Sequence, residues 1–143
     1  MSLEEHKAAL ARAFKAFGDL DLGVIDEVYS PEYEFDAPPL KGSSSSSSSG
    51  REAFKQRVVA FSDSFANVKY NIDDIIAEGE LVATFFSFEG LHRGEFVGFP
   101  ATNKHVKVTG IHFSRFVDGK IKKTWAGFTN IAEALKPDKA VGD

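Results

Sequence analysis

The chain has no cysteine among its 143 residues, which excludes disulfides, thiolate nucleophiles and every cysteine-ligated metal or iron–sulfur centre. It has no apolar run approaching the ~20 residues that span a bilayer, and no charged-then-apolar leader, so the expectation is a cytoplasmic protein with no membrane partner. Positive charge is not in excess: 17 Lys and Arg face 21 Asp and Glu, a net −4. A phosphate-backbone binder gains affinity by neutralising phosphates with Lys and Arg, so no nucleic-acid partner is expected. The four histidines show neither HxH nor HExxH spacing, and neither a phosphate-cradling glycine loop nor a GxSxG elbow occurs. No dedicated metal site is therefore expected. What the chain does have is 43% hydrophobic and 13% aromatic residues, enough to bury the core of one domain over residues 1–143.

Leu3, Lys7, Leu10, Phe14 and Phe17 recur at spacings of three and four and predict an amphipathic helix stopped near Gly18-Asp19. Leu22, Ile25, Val28 and Tyr29 predict a second, shorter helix ending before Pro31. Tyr33 to Asp36 is a short aromatic strand closed by Pro38-Pro39. Seven serines, Ser43 to Ser49, have the composition of a flexible loop with no fixed nucleophile. Ser49 and Glu52 then have capping-box spacing, and Phe54, Val58, Phe61 and Phe65 mark one face of a third helix. His6 and His105 stand beside lysines or charged neighbours and read as solvated surface.

From Val68 the period changes to two, with β-branched and aromatic residues enriched. A turn at Glu78-Gly79 pairs Ile75 with Val82, Asp73 with Thr84 and Asn71 with Phe86, placing Val82, Thr84, Phe86, Phe88 and His92 on one side. Asp118-Gly119 is a two-residue hairpin signal. Counting back from it pairs Phe116 with Ile121, Ser114 with Lys123, His112 with Trp125 and Gly110 with Gly127. Ile111, Phe113 and Phe128 then occupy the opposite face, and apolar residues on both faces suggest that a second subunit covers one of them, a homodimer. Helices followed by antiparallel strands predict an α+β fold with the helices on one sheet face.

Gly50-Arg51-Glu52, Ile76-Ala77-Glu78-Gly79, His92-Arg93-Gly94-Glu95-Phe96, Gly98-Phe99-Pro100-Ala101-Thr102, Val108-Thr109-Gly110-Ile111, Arg115-Phe116, Asp118-Gly119-Lys120-Ile121 and Trp125 stand in an order that resembles the SnoaL-like polyketide cyclases, across residues ~5 to 135. The resemblance implies a nuclear-transport-factor-2-like fold, a cone-shaped curved antiparallel sheet wrapped around N-terminal helices. It also implies a dimer, a pocket between sheet and helices, and cofactor-free aldol ring closure. The family's acid–base carboxylate corresponds in position to His112, where this chain carries imidazole instead. Imidazole's pKa of ~6.5 suits proton abstraction beside a carbonyl with little tuning.

The reading that follows is an acid/base enzyme acting on a small, largely apolar carbonyl compound. His112 shuttles the proton. Trp125, Phe86, Phe88 and Phe116 shape the pocket, and Tyr33, Asp36 or His92 orient the substrate oxygen. The competing reading is a binding module on the same scaffold, with His112 a packed core histidine and His92 part of a structural turn.

Overall fold

A computed structural model describes residues 2–36 and 48–137. The opening helix α1 (Leu3–Asp19) begins at a capping box: Ser2 Oγ accepts from the Glu5 N–H at 3.1 Å and Glu5 Oε1 accepts from the Ser2 N–H at 3.0 Å. Its buried face runs through His6, Leu10, Phe14 and Phe17, while Leu3 is exposed. The expectation that His6 is solvated is therefore corrected: its ring stacks on Phe116 at 4.3 Å, and the apolar stripe starts there rather than at Leu3.

Helix α2 (Leu22–Val28) leads into β1 (Tyr29–Asp36), and β2 is the pair Ser48–Ser49. Helix α3 (Arg51–Ser64) starts at Gly50, whose φ of +94° any other residue would adopt only under strain, and Ser49 makes no capping bond. Instead Ser48 and Ser49 pair with Phe35 and Glu34, so the serine run ends as an edge of the sheet. Residues 43–47 of that run and the Pro38-Pro39 stop lie outside the described residues. Asp26 on α2 fixes α3 by holding Arg51 Nε at 3.2 Å and Lys55 Nζ at 3.0 Å.

The long strands are β3 (Phe65–Glu78), β4 (Leu81–His92), β5 (His105–Val117) and β6 (Lys120–Phe128), followed by the single turn α4 (Ile131–Ala134). The sheet order is β2-β1-β6-β5-β4-β3, a curved and unclosed sheet with the helices on its inner face. The sheet is mixed rather than wholly antiparallel, because β1 runs parallel to β6 through Phe35 opposite Thr124.

Two register details position the inner face. The β3–β4 turn is Gly79-Glu80, one residue beyond the expected pair, so Ala77 faces Val82, Ile75 faces Thr84 and Ile72 faces Phe86. Glycine at φ +59° supplies the positive φ that the turn requires. The partner moves by two positions at Val82 and Thr84 and, past an irregularity at Asp73, by one at Phe86. Val82, Thr84, Phe86, Phe88 and His92 share the buried side because alternation along β4 itself is unbroken.

The β5–β6 hairpin turns at Asp118-Gly119 as expected, with Val117 opposite Lys120 and Phe116 opposite Ile121. A bulge then intervenes: Arg115 meets Lys123, so Lys122 is the extra residue. Beyond it every partner moves by one. His112 faces Ala126, Phe113 faces Trp125 and Gly110 faces Phe128. A one-residue slip exchanges the faces, so Trp125 turns outward and Phe128 inward, the reverse of the expectation.

Candidate functional site

The inner face, α1, α3 and the loop after β4 enclose a cavity of about 520 Å³, within the ~300–1,000 Å³ range usual for small-molecule sites. Each wall comes from a separate element: Phe17 from α1, Phe61 from α3, Phe86 and Phe88 from β4, His112 from β5, Phe128 from β6. Gly110 decides how the β4–β5 wall is built. A Cβ there would lie 2.8 Å from Phe86 Cζ, so glycine lets the Phe86 ring lie over the strand and reach His112 at 4.5 Å.

His112 is set in an aromatic nest, with Phe14 at 4.9 Å and Phe35 at 6.3 Å besides Phe86, and among the described residues nothing hydrogen-bonds it. Loss of hydration penalises the imidazolium and lowers its pKa to about 3. The ring is neutral at physiological pH. Because the unfolded chain binds the proton near pH 6.5 and the folded chain does not, stability is full above that value and falls as pH drops toward 3. Urea titrations should show about 2 kcal/mol lost between pH 7 and 4.5 from this group. His112→Leu should remove that portion, and an unchanged acid slope in the variant would show that the imidazole is solvated.

The loop over the cavity is stapled from below. The N–H groups of Arg93 and Gly94 donate to Ser64 O, the Ser64 hydroxyl donates to Glu95 O at 2.7 Å, and the Arg93 guanidinium donates to Ser62 O. Phe96 and Phe99 exchange two backbone bonds around Val97 and Gly98, and Glu95 Oε1 accepts from Gly98 N–H at 2.6 Å. Phe96, Val97 and Gly98 consequently roof the cavity.

Of the residues singled out from sequence, the structure brings Phe86, Phe88 and His112 to this cavity; the other five lie elsewhere. Trp125 is on the outer face, 37% exposed and packed against Phe113, because of the β6 bulge. Phe116 is buried against His6 nearer the Asp118-Gly119 turn. Tyr33 is buried behind Phe54, with its phenol against the Thr124 hydroxyl. Asp36 is exposed, since alternation turns it away from the side Phe35 occupies. His92 is sealed beside Phe65, and its Nδ1 accepts from Thr102 N–H at 3.2 Å, which is the structural-turn reading. Burial also pushes the His92 pKa down.

Sequence reasoning missed Tyr70, Phe128 and Arg57. Tyr70 lines the cavity with its phenol pKa raised by burial, so the hydroxyl stays a donor. Arg57 was legible: it falls three residues after Phe54 and four before Phe61, on the apolar face of α3. Its guanidinium carbon lies 4.5 Å from the Phe35 ring centroid. Among the described residues no group of three or more His, Cys, Asp or Glu side chains could hold a metal, and no helix is long and apolar enough to cross a membrane.

The sequence profile of the SnoaL-like polyketide cyclases matches residues 8–133. No curated protein matches the chain. Among solved structures, IdmH from Streptomyces antibioticus, described as a candidate polyketide cyclase, is 26% identical with a TM-score of 0.74, covering 88% of this chain and 93% of its own. AclR from Streptomyces galilaeus, described as a candidate hydroxylase, is 25% identical with a TM-score of 0.71, covering 90% and 91%. A SnoaL-like protein from Jannaschia, 18% identical with a TM-score of 0.80 over 95% and 94%, shares the fold.

Proposed function

Because the chain belongs to the SnoaL-like polyketide cyclase family, we propose that it is a cofactor-independent acid/base enzyme that closes or isomerises a small, largely apolar carbonyl compound. The observation that carries this reading is His112: a neutral imidazole, free of hydrogen bonds to described residues, on the wall of an aromatic cavity. Its lone pair takes a proton from the carbon beside a carbonyl, and the C–H electron pair passes into the enolate. The enolate carbon then attacks a second carbonyl of the same molecule, forming the C–C bond. The resulting alkoxide takes the proton back from the imidazolium, so substrate and product are isomers. A solitary imidazolium is disfavoured in the nest, but it forms together with the enolate, and the anion beside it offsets the desolvation. The Tyr70 hydroxyl is the donor for the enolate oxygen.

The test needs no knowledge of the natural substrate. In D2O, the protein should accelerate exchange of the activated protons of aryl β-diketones above the buffer rate, followed by proton NMR. Exchange at the buffer rate for every diketone that binds would replace this reading with the binding module.

The cyclase works as a homodimer through the outer sheet face, where Phe85 pairs with Ile111 and Phe113 with Trp125, all of them 37–46% exposed. Phe128, turned inward, is no part of that face. Sedimentation equilibrium should give a dimer at micromolar concentration that Phe113→Arg converts to monomer; a wild-type monomer refutes the assembly.

A further inference from the structure

Helix α3 carries three cations along the part of its length that faces other elements, and they are treated differently. Arg51 and Lys55 are both held by Asp26, and Lys55 also by Glu52 at 3.3 Å. Arg57 points the other way, into the cavity, where it is half-buried. Among the described residues it has no carboxylate partner and donates no hydrogen bond. Its neighbours are the Phe35 ring, 4.5 Å away, and the buried Tyr33 phenol. Neither neutralises it, since burial raises the Tyr33 pKa and keeps that phenol uncharged. Glu95, the carboxylate on the cavity wall, is occupied by Gly98 N–H and makes no ion pair with Arg57.

A guanidinium removed from water without an anion is costly, and the cost falls when a ligand brings the anion. Five N–H donors in a rigid fork match a carboxylate in two parallel hydrogen bonds. Loss of hydration weakens the hold of Arg57 on its proton, in keeping with a cation that has no counter-charge among the described residues. Arg57 and His112 flank the same Phe35 ring, at 4.5 Å and 6.3 Å from its centroid. One fused-ring ligand therefore reaches both.

We propose that the ligand of this cavity is an aromatic or polycyclic acid whose carboxylate docks on Arg57 while its carbonyl-bearing end lies against His112. This rests on the cavity being the substrate site, and deepens that reading by stating the substrate's charge.

Calorimetric titration with 2-naphthoate and its neutral analogue 2-naphthamide separates the charge from the ring. Naphthoate should bind about 10- to 100-fold more tightly, the range for a charge-assisted pair over a neutral one. Arg57→Met should bring naphthoate down to the affinity of naphthamide while leaving naphthamide within about threefold, which also reports an intact cavity. Arg57→Lys, which keeps the charge without the fork and guards against misfolding of the methionine variant, should show an intermediate preference. Equal wild-type affinities, a preference that survives Arg57→Met, or no naphthoate binding would each overturn the assignment. His112→Ala should keep the preference intact. If wild-type protein prefers naphthoate but catalyses no proton exchange, the docking site stands and the enzyme reading fails; if it catalyses exchange with no preference, the enzyme reading stands and the docking site fails.

Discussion

Replacing His112 with alanine is expected to slow turnover by about 10²- to 10⁴-fold, the usual worth of a positioned general base. The pH dependence distinguishes this residue from any solvent-exposed base. With its pKa lowered to about 3, the imidazole is already neutral across the physiological range, so the wild-type rate should be flat from about pH 5 to 8. An acid limb near pH 6.5 would mean that the working imidazole is hydrated. His112→Asp restores the group that the family resemblance places here, but the same aromatic nest acts on it with the opposite sign. Desolvation raises a carboxyl's pKa, so the aspartate variant should gain activity with rising pH from well above the ordinary ~3.9. Single-turnover rates on a diketone substrate check both statements. A His112→Ala rate within threefold of wild type would remove this residue from the chemistry.

Gly94→Ala is expected to cost about 3 kcal/mol, with a fall in Tm of roughly 10 °C. A methyl group at this position is driven into the carbonyl oxygen of Asp63, which is backbone and has no side-chain freedom to yield. The same position carries one of the two N–H groups that tie the roof loop to Ser64 O. The variant should therefore also lose ligand affinity, since Phe96 to Gly98 are placed over the cavity by that tie. Gly79→Ala is the comparison: its Cβ meets nothing within 4 Å, and only its φ of +59° is strained, at a cost of about 1 kcal/mol. Thermal melts that rank the two in the opposite order would contradict the packed role of Gly94.

The helices and strands were legible because their signals are local. The three- and four-residue spacing of Leu10, Phe14 and Phe17 requires only that one helix face meet a core, and α1 buries those three. The alternation of Val82, Thr84, Phe86 and Phe88 survives a misplaced turn, because it is a property of β4 alone and the irregularity at Asp73 falls on its partner strand. His112 was legible by both routes, through inward alternation on β5 and through the position that the family resemblance assigns. Arg57 was overlooked for a different reason: a cation on an apolar helix face is ordinarily a stem lying along the surface with its charge in water.

The sequence by itself determined the α+β order, the aromatic inner face and an imidazole at the middle of β5, each a consequence of periodicity or of a two-residue turn. Tertiary structure decided which residues share a wall with that imidazole. The one-residue bulge at Lys122 has no local signature, since Lys122 and Lys123 are alike in the string, and the extra residue is accepted because it lets the core choose the ring it buries. Phe128 fits between Phe88 and Phe96 and goes in, while Trp125 goes out to Phe113. Likewise, the parallel pairing of β1 with β6 and the placing of Arg57 over the Phe35 ring depend on residues far apart in the chain. Only the folded chain brings those groups close enough for packing and Coulomb energy to act between them.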